Sequence, residues 1–139
     1  MHVRASGREV NISPKAAREI ALTIKGMPLT KAIDRLELVR EKKMAVAFRR
    51  HKLKVGHRSE LSGFPSGSYP VKAAGAFVQV LKNLQSNSEF KGLDPERVQI
   101  VHASAFAGRT LKDFTPRAFG RSSPNFRQLV HIELIGKEV

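Results

Sequence analysis

The sequence has no cysteine and no tryptophan. Without thiols there is no disulfide framework, no cysteine-ligated zinc and no thiolate nucleophile. Aromatic residues make up only 6% of the chain, one tyrosine and eight phenylalanines. They do not form the paired aromatic strand motifs of a base-stacking RNA-recognition sheet. No apolar run approaches the roughly 18 residues that a membrane span needs. Met1 to Val10 mixes Arg4, Arg8 and Glu9 with small residues and holds no apolar run suited to a secretory signal. The expected compartment is therefore the cytoplasm, with no membrane partner. Acids are also scarce, 12 against 25 lysines and arginines, which leaves a formal net charge of +13.

A charge this one-sided repels itself in the compact state and calls for an anionic partner. At 139 residues and 41% hydrophobic content, the chain suits a single domain, 1–139, with a modest core. The excess is local. Residues 1–41 carry eight basic and five acidic side chains, 42–72 carry eight and one, 73–108 three and three, and 109–139 six and three. A merely solubilising surface would be more even, so the uneven pattern reads as footprints on phosphates.

Val3 to Ile12 reads as a first strand. Ser13-Pro14 then opens a helix, with Ser13 as N-cap and Pro14 at the first position, where no amide donor is needed. Ala17, Ile20, Ala21 and Ile24 form its buried stripe, Lys15, Arg18 and Lys25 lie off it, and Gly26 ends it. Pro28 to about Glu41 reads as a second helix, buried through Ala32, Ile33, Leu36 and Val39, with Asp34, Arg35 and Glu41 on its wet side. Val71 to Gln85 reads as a third. Between the second and third lies a basic insert, about 42–70, with Lys43, Arg49, Arg50, His51, Lys52, Lys54, His57 and Arg58. Its glycines and prolines suggest irregular chain, with one helical turn near Met44 to Arg50.

Arg97 to Ala107 and Phe126 to Ile135 alternate as antiparallel strands, with Val98, Ile100 and His102 on one side of the first. The connection carries Arg109, Lys112, Arg117 and Arg121 against Asp113, and Arg127 follows it. Such a hairpin, about 97–135, buries little beyond its base. A two-stranded ribbon is marginal in water, so it should become ordered only among anions. Arginine suits that task because its planar fork binds phosphate and stacks on bases.

Catalytic readings are weak. The five histidines show no metal-ligand spacing. His102 and His131 can lie on neighbouring strands, where paired imidazoles would cleave RNA as acid and base; the alternative is that both are ordinary strand residues. No phosphate loop precedes a Lys-Ser or Lys-Thr pair, and Gly63-Phe64-Pro65-Ser66-Gly67 has the wrong spacing for a nucleophile elbow. The first two helices are joined tightly, as in DNA-reading pairs, but Asp34, Glu37 and Glu41 would repel phosphates. The expectation is no enzyme, no cofactor, no metal and no small-molecule substrate. The remaining alternative is a free-standing RNA- or DNA-binding regulator.

Four blocks resemble the universal large-subunit ribosomal protein family numbered twenty-two in the bacterial count and seventeen in the eukaryotic one. They are Arg8-Glu9-Val10-Asn11-Ile12-Ser13-Pro14-Lys15-Ala16-Ala17-Arg18-Glu19-Ile20 with Ile24-Lys25-Gly26-Met27, then Tyr69-Pro70-Val71-Lys72-Ala73-Ala74, then Gly92-Leu93-Asp94, then Pro116-Arg117-Ala118-Phe119-Gly120-Arg121-Ser122-Ser123-Pro124 with His131-Ile132-Glu133. The insert looks like the archaeal and eukaryotic branch, and the short C-terminus leans archaeal. The resemblance implies an α+β fold, three helices packed on a three-stranded antiparallel sheet with a long protruding β-hairpin. It implies a structural constituent of the large ribosomal subunit that binds large-subunit ribosomal RNA and touches neighbouring ribosomal proteins. RNA contacts are implied for Arg4, Arg8, Lys15, Arg18, Lys25 and Lys72, and for His131 near the hairpin base; Tyr69 and the basic residues of the insert and arm are further candidate RNA contacts. Arg117, Ala118, Phe119, Gly120 and Arg121 would face the nascent polypeptide in the exit tunnel. Asp113 stands where bacterial members often have arginine, Phe119 where they often have a basic residue, and Ser68 where this branch often has arginine.

Overall fold

Alternation at the start of the chain makes an edge strand, β1 (His2–Val10), that buries Val3 and Ala5 and exposes His2 and Arg4. The computed structural model describes residues 1–139. Helices α1 (Pro14–Ile24) and α2 (Leu29–Arg40) follow. Two short strands, β2 (Val46–Ala47) and β3 (Gly67–Ser68), bracket the insert. Helix α3 (Val71–Phe90) and a 3-10 turn at Pro95–Arg97 lead into β4 (Val98–Leu111). Strands β5 (Phe114–Pro116) and β6 (Ser122–Pro124) precede β7 (Arg127–Glu138). The main sheet is antiparallel in the order β1-β7-β4. Its inner face, with Val3, Ile100, Val130, Ile132 and Leu134, joins Ile20, Ile24, Leu36, Phe77, Leu81 and Leu84 of the helices in one apolar cluster. The three-helix, three-stranded α+β architecture expected from the resemblance is thus found. No helix is long and apolar enough to cross a membrane.

Several details differ from the sequence reading. β1 stops at Val10 rather than Ile12, because Glu9 takes a positive φ of 54° and the Ile12 amide turns back to the Val10 carbonyl at 3.0 Å. Ser13 holds the N-cap position, but its hydroxyl makes no cap bond; it is exposed, where water supplies the alternative partner. Gly26, at φ 83°, is the residue after the cap as expected. On α2, Leu29 is fully buried and Ile33 only half-buried, and Arg35 is half-buried rather than wet.

Helix α3 runs to Phe90 rather than Gln85. Its last turn is polar in sequence, yet Ser88 is buried and Asn87 donates to the Arg4 carbonyl at 3.0 Å. Tertiary contacts therefore sustain the helix past its apolar stripe. Met44 to Arg50 forms no helical turn. Ala45, Val46 and Phe48 are buried, and the segment pairs through Val46 with Ser68 and Ala47 with Gly67.

In β4 the pairing jumps from Ile100–Gly136 to His102–Ile135, so Val101 is a bulge. His102 is consequently exposed and does not share the side of Val98 and Ile100. The Gly26–Met27 turn pairs with Ile100 from the other edge, through Gly26 N–H to its carbonyl at 2.8 Å and its own N–H to Met27 at 2.9 Å. The connection from Gly108 to Asn125 is more regular than expected, since β4 continues to Leu111 and β5 pairs with β6. Every residue from Arg109 to Arg121 is exposed.

Candidate nucleic-acid interface

Two distant parts of the chain bring basic side chains to the amino end of α1. Lys15 of α1 and His51, Lys54 and Arg58 of the insert line a cleft of about 440 Å³ with Ser13 at its rim. No acid sits in the first turn of α1. Free helical amides and the positive end of the helix dipole favour an anion there, and the surrounding cations add to that field.

The insert reaches this place because it folds on itself and is tied to α1. The Gly67 amide donates to the Gly56 carbonyl at 3.1 Å and the Arg58 amide to the Pro65 carbonyl at 2.8 Å. The Arg58 guanidinium stacks 4.9 Å above the Tyr69 ring, and Lys52 sits 5.6 Å over Phe64. The Tyr69 hydroxyl donates to Glu60, which pushes the phenol above its usual range. Glu19, only 1% exposed, is the tether. Its Oε1 accepts from Arg18 Nη1 at 2.7 Å and from the Arg50 backbone amide at 3.1 Å, so the insert starts against α1. The other oxygen, Oε2, has no partner.

A second cleft, about 610 Å³, holds Arg35, Lys43 and Arg49 with the single acid Glu60. The Arg35 Nε is buried without a partner. Lys43 lies 2.6 Å from Glu41, and that hydrogen bond holds the Glu41 carboxyl below its usual range. A groove of about 480 Å³ between β1 and α3 contains Arg4 and Arg8, with Asn83 and Asn87. Arg8 donates to Glu133 at 3.3 Å.

The arm carries Arg109, Lys112, Arg117, Arg121 and Arg127, all exposed. Its end is a tight turn. The Arg117 amide donates to the Arg121 carbonyl at 2.8 Å, and Phe119 and Gly120 have φ 59° and 66°. Positive φ at both central positions matches the twist of a hairpin. Ala118 to Gly120 therefore form the outermost point, with the Phe119 ring 93% exposed. Phe114 and Phe126 meet edge to face across the arm, 5.8 Å apart.

The candidate residues thus fall into separate groups. Lys25, Lys72, Arg50, Lys52 and His57 are exposed outside the clefts. Arg8, Arg18 and Lys43 each already face a carboxylate. His102 pairs with Ile135 and His131 with Phe106, four rungs apart. At strand rise that is about 13 Å, too far for one acid–base pair. Sequence reasoning missed Arg35, which the helical pattern placed outside, and Glu19, which lies on the far side of α1 from Ala17, Ile20, Ala21 and Ile24 and is buried beside the distant Arg50 segment, so no local pattern marked it.

The sequence pattern of the family described as "Ribosomal protein L22p/L17e" matches residues 5–137. The chain belongs to that family. "Large ribosomal subunit protein uL22" of Cenarchaeum symbiosum (strain A) is 53% identical over 137 residues, covering 99% of this chain and 90% of the relative. Its namesake in Nitrosopumilus maritimus (strain SCM1) is 49% identical over 138 residues, covering 99% and 90%. That of Methanocaldococcus jannaschii is 49% identical over 135 residues, covering 97% and 86%. The family indicated by the four sequence blocks is the one found, with relatives of archaeal type.

Proposed function

We propose that this chain is a structural constituent of the large ribosomal subunit in the cytoplasm, where it binds large-subunit ribosomal RNA. The observation that carries the reading is the cleft at the amino end of α1, where Lys15, His51, Lys54 and Arg58 converge on unpaired helical amides. Such a site takes a backbone phosphate without reading a base. Counterion release at this and the other basic groups supplies the affinity, and shape supplies the fit. The family match over residues 5–137 supports treating the chain as one domain that includes insert and arm. The exposed cations of the arm suit a path through RNA, and the tip from Arg117 to Arg121 then faces the polypeptide exit tunnel and its nascent chain. Neighbouring ribosomal proteins are further partners.

Sedimentation of the tagged protein from lysate, followed by a high-salt wash, tests this. Co-migration with the large subunit through the wash is the expected result, and crosslinks from Arg117 and Arg121 to nascent chain then test the tip. Release at moderate salt would overturn the structural role in favour of a peripheral or regulatory RNA binder.

A further inference from the structure

Both neighbours of β7 shift register at the root of the arm. On one side Gly7 pairs with Ile132 and Val10 with Val130, so Arg8 and Glu9 together oppose His131. On the other, Ala107 pairs with Val130 and Thr110 with Gln128, so Gly108 and Arg109 together oppose Leu129. At this level β1 ends, and only β4 and β7 continue outward. A bulge bends its strand and raises its twist. Paired bulges here govern the direction in which the arm departs.

One cluster ties the three strands together at that level. The Glu9 backbone amide, at φ 54°, donates to His131 Nδ1 at 3.2 Å. His131 Nε2 lies 3.5 Å from Glu9 Oε1, and the same oxygen accepts the Arg109 backbone amide at 3.3 Å. Glu9 thereby holds β7 through His131 and β4 through Arg109. The Phe106 ring packs 5.4 Å from the imidazole. A Cβ at position 108 would stand 2.9 Å from His131 Nε2 and 3.2 Å from Glu9 Oε1, so any side chain there would push the imidazole or the carboxylate out of this arrangement. The His131 side chain is only 17% exposed. The charged groups around it are Glu9 and Arg8 on β1, Glu133 on β7, which pairs with Arg8, and Arg109 on β4.

We infer that Glu9 and His131 are positioning residues, a clasp that fixes the angle at which the arm leaves the sheet. Because Nδ1 accepts the Glu9 amide, the proton of the neutral ring is on Nε2, facing the carboxylate. A doubly protonated ring would set Nδ1–H against the Glu9 N–H and open that bond. Both ring nitrogens are engaged inside the protein, so His131 serves RNA by aiming the arm rather than by contacting phosphate. The clasp is a property of the free chain and stands apart from the RNA-binding reading.

The lack of cysteine permits clean spin labelling of the free full-length protein, with Lys82→Cys on α3 and Gln128→Cys at the arm root, both exposed. Pulsed electron resonance should give one narrow distance peak at neutral pH. Glu9→Ala and His131→Phe should lose that single peak. His131→Gln should keep it, since its amide offers an acceptor to the Glu9 N–H and a donor to the carboxylate. Nitrogen NMR of the wild-type imidazole should show Nδ1 bare and Nε2 protonated, and this holds even where a variant fails to fold. A broad peak in wild type, an unchanged peak in both Glu9→Ala and His131→Phe, or a proton on Nδ1 in the neutral ring would overturn the inference.

Discussion

The Arg58 guanidinium stacks 4.9 Å above the ring of Tyr69, whose hydroxyl donates to Glu60. The bond to Glu60 raises the phenol from its ordinary value of 10.0. A raised value in the folded state means that the fold favours the neutral phenol. That contribution is complete below the ordinary value and is lost as pH climbs through the folded one. Tyr69 is the only tyrosine and there is no tryptophan, so near-ultraviolet absorbance follows this one group. Its midpoint should lie above that of the unfolded chain and should fall in Glu60→Gln. Identical midpoints would mean that the Tyr69–Glu60 bond is absent in solution.

Lys54 and Arg58 approach the amino end of α1 from the insert. If each meets one phosphate, Lys54→Ala should weaken binding uniformly across RNA sequences. It should also lower the slope of log affinity against log salt by about one. A mutation that leaves the slope unchanged removes Lys54 from the interface. Lys25→Ala, at the opposite end of α1, reports whether the cleft or the whole charge is responsible.

Glu19 is buried and joins α1 to the first residues of the insert through the Arg50 amide. Glu19→Ala should cost about 1–3 kcal/mol, since it removes two part-buried hydrogen bonds of roughly 0.5–1.5 kcal/mol each. Urea unfolding measures the loss. Hydrogen exchange should quicken at Arg50 while amides in the centre of α3 hardly change at low denaturant. A neutral substitution would show that the unpartnered Oε2 costs as much as Oε1 contributes.

Beyond Gly108 the arm buries nothing until Val130, so its strand pairing has no apolar support of its own. In the free protein, amides from Lys112 to Asn125, beyond the root rung of Thr110 and Gln128, should exchange far faster than those of Ile132 and Leu134, and RNA should slow them. Phe119→Asn should steady the turn, because a left-handed conformation costs a bulky residue roughly 1–2 kcal/mol and asparagine less. Protection at Arg121, whose amide closes the turn on Ala118, checks this. Slow exchange throughout the free arm would contradict the expectation that RNA orders it.

The legible parts of this protein were those governed by neighbours in sequence. Ala17, Ile20, Ala21 and Ile24 recur at helical spacing and are all buried. Pro14 and Gly26 mark the ends of α1 as their backbone preferences require. The four blocks of family pattern, and the concentration of charge in 42–72, were likewise plain in the chain alone.

What only the tertiary structure decided depends on residues far apart in sequence. The pairing of Val46 with Ser68 turned an expected helical turn into extended chain. The bulge at Val101 sent His102 outward, because the Gly26–Met27 turn holds Ile100 from the other edge. The Glu9–His131 contact spans 122 positions, and the sequence offered His131 as a candidate RNA contact and Glu9 as one residue of a family block, with nothing to join the two. Local periodicity specifies which face of an element is apolar. Register shifts and buried polar contacts instead answer to the geometry of a distant partner, which no local pattern encodes.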